Sequence, residues 1–223
     1  MSGIIDTFIA PPCHAEIEIL FQDEHLLLIN KPSGLLSLSG KNPLNKDSVH
    51  FRLVQNFPTA TLVHRLDFGT SGIMLVALNK AVNGHLTKQF QAATIRKTYH
   101  ALLHGLVNQD SGTIDLPIAK DPENFPRQKI CFTTGKSSQS HYQVIERTRA
   151  PEITRVIFTP LTGRTHQLRI HSRELGHAIL GCDIYATDEI CALAPRLMLH
   201  AATLEFEHPY SSESVMATCP CPF

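Results

Sequence analysis

Apolar positions along this chain fall into three habits, alternating runs, unbroken runs and helical spacing, and each predicts an element. In "AEIEILFQDEHLLLINKPSGLLS" two apolar runs flank a Gln-Asp-Glu turn, predicting two strands that end in a Lys-Pro-Ser-Gly turn at 31–34. "DSVHFRLVQNF" sets Val49, Leu53 and, less regularly, Phe57 at helical spacing behind an Asp47/Ser48 cap, predicting a helix of about two or three turns. "GIMLVAL", from Gly72 to Leu78, is apolar at every position and predicts a strand buried on both faces. Asn79 caps "KAVNGHLTKQFQAA", where Val82, Leu86 and Phe90 share one helical face.

Strands follow over "RKTYHALLHGLV", "SQSHYQVIER" and "ITRVIFTP", the last alternating Ile153, Arg155 and Ile157 against Thr154, Val156 and Phe158. After a turn at Thr162-Gly163, "RTHQLRIHSRELG" reads as a helix starting near Thr165, and "LMLHAATLEFEH" as a late strand. Strands outnumber helices and short turns join them, so the expected class is α+β: a large mixed sheet with helices packed on it. No repeat or linker divides the 223 residues, and the reading is a single domain over 1–223 with a tail from about 210.

Composition narrows the class. A chain that is 43% hydrophobic can bury a real core. No stretch approaches the roughly 18 apolar residues of a membrane span, and the opening "MSGIIDTFIAPPCHAEIEIL" lacks a signal-peptide pattern, which predicts a cytoplasmic protein without a membrane partner. Six scattered cysteines fit neither a disulfide framework nor a structural zinc site. His166 and His171 lie five apart and no His-Glu-x-x-His pattern occurs, so no metal is expected.

The net charge is zero, but it is segregated. Residues 68–182 carry a net charge of +7, against −2 before them and −5 after them. A basic middle is a candidate for a polyanion, although folding can scatter such charges over unrelated faces.

Two stretches could carry chemistry. In "VHRLDFGTSG", Asp67 follows His64 and Arg65 and precedes the buried strand, behind a turn whose glycines let another backbone or a substrate come close. Held at a strand end, Asp67 can serve as nucleophile, base or electrostatic stabiliser. It can equally cap the turn through the Gly69 or Thr70 amide. "TGRTHQLRIHSR" offers Arg164, His166, Arg169, His171 and Arg173 with no acid before Glu174, a face suited to phosphates or to sending one arginine inward to a carboxylate. Lys97 and Tyr99, two apart on a predicted strand, point to one face.

The ordered set "NKPSGLLS", "HRLDFGTSG", "RKTYHALLHG", "TGRTHQLRIH", "HAILGCDIY" and "RLMLHAATLEFEHP" resembles the RluA family of RNA pseudouridine synthases from about Ile19 to Pro209. The likeness is to the short members that modify ribosomal and transfer RNA, and it leaves no room for an N-terminal RNA-binding domain. It implies a mixed, mainly antiparallel sheet with a central cleft. It implies Asp67 as catalytic aspartate, Tyr99 against the target base, Arg169 paired with Asp67, Arg65 entering the RNA stack and Leu199 on the base's other face. His64, Lys97, Arg164 and His166 complete the expected RNA contacts.

The expected partner is structured RNA, 23S rRNA or a tRNA anticodon arm, and not DNA; the protein is expected to act as a monomer. The implied reaction moves ribose C1′ from N1 to C5 of uracil, with no net oxidation and hence no cofactor. The target must leave its stack at a cost of a few kcal/mol, and Arg65, Tyr99 and Leu199 supply a replacement and a sandwich. Burial alone would neutralise Asp67, and a paired Arg169 opposes that. Asp67 then has three routes, attack at C1′, attack at the base, or removal of a ribose proton to form a glycal, and Tyr99 is the expected acceptor of the C5 proton. Two competing readings are an RNA chaperone, which would not need the Asp67, Tyr99 and Arg169 set, and a glycosidic hydrolase, which needs two carboxylates; the shared motifs are read as holding no second acid.

Overall fold

The computed structural model describes residues 8–223, so residues 1–7 of the opening stretch lie outside the described residues. In chain order the strands and helices are β1 (Glu18–Gln22), β2 (Leu26–Lys31), α1 (Val49–Leu53), β3 (Thr61–Leu62), β4 (Ser71–Ala77), α2 (Lys80–Gln91), β5 (Arg96–His104), β6 (Ser111–Asp115), β7 (Ile118–Lys120), β8 (Gln128–Ile130), β9 (Gln139–Arg149), β10 (Glu152–Pro160), α3 (Gln167–Glu174), α4 (Asp188–Ala192), β11 (Leu199–Glu207) and β12 (Ser214–Thr218). Ten strands form one sheet in the order β1-β2-β4-β11-β5-β10-β9-β6, with β3 added to β4 and β12 to β11. The β4–β11 pair is parallel and the other pairs in this sheet are antiparallel. This is the mixed, mainly antiparallel sheet expected.

Strand β4 is buried along its whole length between β2 and β11, which explains why all its positions are small or apolar. The Asn79 side chain caps α2 by accepting from the Val82 amide, and Val82 and Leu86 turn into the core. Two hydrophobic clusters result. One gathers β2, α1, β4 and α2; the other gathers β5, β10, α3 and the segment 179–185. Tyr99 on β5 packs against both, so it stands on their seam.

Three expectations change. Helix α1 is shorter than two or three turns: after Leu53 the chain closes with Phe57 N–H on the Leu53 carbonyl, and Pro58 disfavours helix in the residue before it. Helix α3 starts at Gln167, because His166 takes a left-handed conformation with φ 57° and stands outside the helix. The stretch read as a tail holds β12, which pairs with β11 from Thr203↔Thr218 to Glu207↔Ser214. Beyond it Cys219 is buried, and Arg155 donates to the Phe223 carbonyl oxygen at 2.7 Å. Only Val215 and Ala217 alternate inward in a stretch of serines, prolines and cysteines, which hides the strand.

Candidate active site

Asp67 opens a tight turn ahead of β4, closed by the Thr70 N–H donating to the Asp67 backbone carbonyl at 3.1 Å. The turn is therefore made by the main chain, and the side-chain cap considered as the alternative does not form. The Lys-Pro-Ser-Gly segment is built onto the back of this turn. The Lys31 ammonium donates to the carbonyls of Pro32 (2.8 Å), Phe68 (3.2 Å) and Thr70 (2.8 Å). Ser33 donates to the Gly69 carbonyl at 2.7 Å, Gly34 N–H to Phe68 at 2.9 Å, and Ser37 to Leu66 at 2.7 Å. Four successive or near-successive carbonyls around Asp67 are thus tied down, and the carboxylate is left to face outward.

The two glycines have distinct tasks. A Cβ on Gly72, at φ +115°, would sit 2.2 Å from the Ala201 carbonyl oxygen, so glycine lets β4 and β11 approach. A Cβ on Gly69 would press on Leu197 at 3.0 Å. The close neighbour is backbone in the first case and a core side chain in the second.

The carboxylate of Asp67, 27% exposed, meets the Arg169 guanidinium at 3.8 Å; Arg169 is 6% exposed. Burial lowers Arg169, but the neighbouring Cys182, Asp67 and Asp183 outweigh it and raise its pKa above the usual value, so the cation is secure. Arg169 is shared. Its other nitrogen forms a short ion pair with Asp183, and the guanidinium also donates to the Cys182 sulfur at 3.4 and 3.5 Å. Asp183 lies in "HAILGCDIY", so a second acid does belong to the site, contrary to the reading of the motifs. Its carboxylate is 69% exposed and already engaged with Arg169.

Tyr185, from the same motif, lies under both Arg169 and Arg173, each 5.5 Å from its ring, and its hydroxyl is 2.9 Å from His166 Nδ1. His166, Arg169 and Arg173 therefore converge as expected, around a tyrosine rather than along one helix. Gln167 fixes the approach: its amide oxygen accepts from the Thr162 hydroxyl and the Arg164 N–H, and its NH₂ donates to the Gln139 carbonyl and to Ser140.

These groups open into a cleft of about 1060 Å³. Arg65, Lys97, Tyr99, Arg164, His166 and Leu199 all line it with Asp67 and Arg169. Lys97 and Tyr99 share a face of β5, and the β5–β11 register, Ala201↔Tyr99 and Leu199↔Ala101, sets Leu199 one diagonal step from Tyr99. Burial and the Asp67 charge push the Tyr99 phenol upward, so it holds its proton. The Arg65 side chain is exposed and has no hydrogen-bond or ion-pair partner among the described residues. The cleft lining counts seven Lys/Arg against two Asp/Glu, five of the cations coming from the basic middle of the chain, so the cleft is a cationic surface.

His64 also borders the cleft but is committed to the fold. Its Nε2 accepts from the Leu75 N–H at 3.0 Å, and its ring stacks on Phe90 at 4.9 Å. Burial and Lys97 hold it neutral, down to about 3, so it ties its segment to β4 and α2 as an uncharged ring.

The sequence reading named Gln167 within the basic stretch without giving it a role of its own, and passed over Lys31, Asp183 and Tyr185. All four stand inside motifs that were quoted, and Lys31, closing the apolar run of β2, is fully buried and finds its partners in three carbonyls.

Known proteins resemble this chain along nearly its whole length. A family model described as RNA pseudouridylate synthase matches residues 25–174. A dual-specificity RNA pseudouridine synthase RluA from Yersinia pestis is 49% identical over 205 residues, covering 92% of this chain and 99% of that protein. The protein of the same description from Escherichia coli (strain K12) is 45% identical over 213 residues, covering 96% and 97%. Among solved structures, human RNA pseudouridylate synthase domain containing 1 superposes with a TM-score of 0.79 at 31% identity, covering 96% of this chain and 86% of that one.

Proposed function

Because the chain belongs to the RNA pseudouridylate synthase family and is an RNA pseudouridine synthase, we propose that its substrates are uridines in stem-loops of 23S rRNA and the tRNA anticodon arm, taken by a monomer in the cytoplasm. Among the described residues no helix is long and apolar enough to cross a membrane. The observation that carries the catalytic assignment is the Asp67 carboxylate beside Arg169 in a cation-lined cleft.

The RNA backbone is drawn in by Lys97, Arg164 and the other cleft cations. The target uridine swings out, and Arg65, without a partner among the described residues, fills the vacated place in the stack. Tyr99 and Leu199 hold the uracil between an aromatic and an aliphatic face. Asp67 acts at the sugar or the base, the N1–C1′ bond breaks, the uracil turns while held, and the C5–C1′ bond forms. The C5 proton leaves and N1 gains one, so mass is unchanged.

In this reading Tyr99, which lines the cleft with Asp67, takes the C5 proton. Burial and the Asp67 charge hold its phenol protonated, so it can accept that proton only as it hands its own on to a base of the cleft. His166 contributes the hydroxyl contact to Tyr185, which supports Arg169.

Incubating the protein with hairpin RNAs carrying loop uridines and mapping pseudouridine chemically tests the reading. A mass-silent isomer at a loop uridine is expected. Bound but unchanged RNA would favour the chaperone, and released uracil the hydrolase.

A further inference from the structure

One wall of the cleft has no task in the chemistry above. It is the ribbon of β7 and β8 with the turn between them, residues 118–130. We propose that Phe125 at its tip is a stacking platform for an unpaired nucleotide flanking the target uridine, and so a specificity-determining residue. This rests on the reading of the cleft as an RNA site.

Isolated exposed apolar side chains are ordinary on a protein surface. Phe125 is different in placement and in company. Its ring is 55% exposed and lines the cleft that holds Asp67. The turn carrying it is held by its own bonds: Asp121 N–H donates to the Arg127 carbonyl at 3.1 Å and Arg127 N–H to the Asn124 carbonyl at 2.8 Å. Asp121 also accepts from the Asn124 side chain at 2.9 Å and pairs with Lys129 at 3.5 Å, which removes most of its charge from the cleft. The ring is therefore kept in solvent by a defined turn.

Lys120 and Arg127 of the ribbon segment, and Lys41, line the same cleft, none with an ion-pair partner among the described residues; Glu123, exposed at the turn, is the acid left to oppose them. An exposed aromatic ring flanked by unpaired cations matches a base with its phosphates, since every base offers a π face and the phosphates need neutralising. Leu38, also exposed, lines the same cleft.

The ribbon is also tied to the catalytic arginine. Gln128 N–H donates to the Tyr185 hydroxyl at 2.8 Å, and the Tyr185 ring lies under Arg169. A nucleotide seated on Phe125 thus rests on an element that shares a support with the Asp67 partner.

The test uses the full chain and a synthetic hairpin RNA whose loop carries the uridine it converts, with affinities measured for Phe125→Ala, Phe125→Trp and the outlying control Phe132→Ala. Phe132 is 78% exposed and does not line the cleft. Phe125→Ala should weaken binding roughly 5- to 150-fold, the range of losing one base–aromatic stack, while Phe125→Trp and Phe132→Ala bind as wild type and all melt alike. A series of hairpins with one abasic loop nucleotide each then locates the contact: at one position beside the uridine, Phe125→Ala should cost nothing further. Unchanged affinity in Phe125→Ala, or a loss equal at every abasic position, overturns the assignment while leaving the reaction intact. A wild-type protein that neither binds nor converts any such hairpin overturns the RNA reading itself, and this inference with it.

Discussion

Replacing Lys31 with methionine removes a buried ammonium and keeps an unbranched side chain in its channel. In the native fold that ammonium donates to three carbonyls, of Pro32, Phe68 and Thr70. Phe68 retains a donor in the Gly34 amide, and Thr70 borders the β4–β11 ladder, so one or two carbonyls are left bare. At ~1–3 kcal/mol for each buried acceptor without a donor, the loss is about 1–6 kcal/mol. Opposing it is the cost of burying the cation. Burial brings Lys31 from 10.5 down to about 7 despite the attraction of Asp67, a gap corresponding to about 5 kcal/mol.

The two contributions nearly cancel, so Lys31→Met should melt no more than roughly 5 °C below wild type. The Asp67 turn has no such compensation. With the Lys31 donor gone from the Thr70 and Phe68 carbonyls, a displacement on the order of 1 Å at the carboxylate should slow conversion about 100-fold. Single-turnover conversion of a hairpin RNA, read beside a thermal melt, measures both. A variant that melts roughly 20 °C lower yet converts normally per folded molecule would show that Lys31 serves the core and not the turn.

Gly72→Ala should destabilise by about 2–6 kcal/mol, from left-handed strain plus the clash with the Ala201 backbone, and lower Tm by roughly 5–20 °C; an unchanged melt would contradict the β4–β11 approach. Stability should depend on pH in two windows. His200, held by burial down to about 4, and His64, down to about 3, stay neutral when folded, so their contribution is full above pH 6.5 and is lost as pH falls through those values. Lys31 gives up its proton near 7 when folded but near 10.5 when unfolded, so stability from it rises between those values; the melting difference between wild type and Lys31→Met should widen in favour of wild type across that window, and a flat difference refutes it. Tyr99→Phe should bind hairpin RNA as wild type and release little pseudouridine; a normal rate would remove the phenol from the proton transfer.

Much of this architecture is legible in local pattern. The doubly apolar run 72–78 reads as an interior strand, and Asn79 with Val82 and Leu86 as a capped amphipathic helix, and both form. What local pattern misses is long-range pairing. β12 is five residues, Ser-Val-Met-Ala-Thr, too short to show a pattern beside the serines before it and the Cys-Pro pairs after it, and it becomes a strand because β11 offers it an edge. His166 is expelled from α3 because Gln167 gathers the preceding loop. The site divides in the same way. Motif resemblance singles out Asp67, Tyr99 and Arg169, and the cleft brings them together. The supports are visible only in three dimensions: Lys31 beneath the turn, Asp183 sharing the guanidinium, and His64 accepting from a strand amide where charge alone suggested an RNA contact.

The central claim is that a guanidinium at 3.8 Å makes Asp67 the group on which conversion depends. Asp67→Asn and Arg169→Ala, assayed with one hairpin RNA for affinity and for pseudouridine, test it most directly. Affinity should stay within about tenfold of wild type, or ~1.4 kcal/mol, while no pseudouridine forms above the level without protein. Wild-type turnover by either variant would contradict the account.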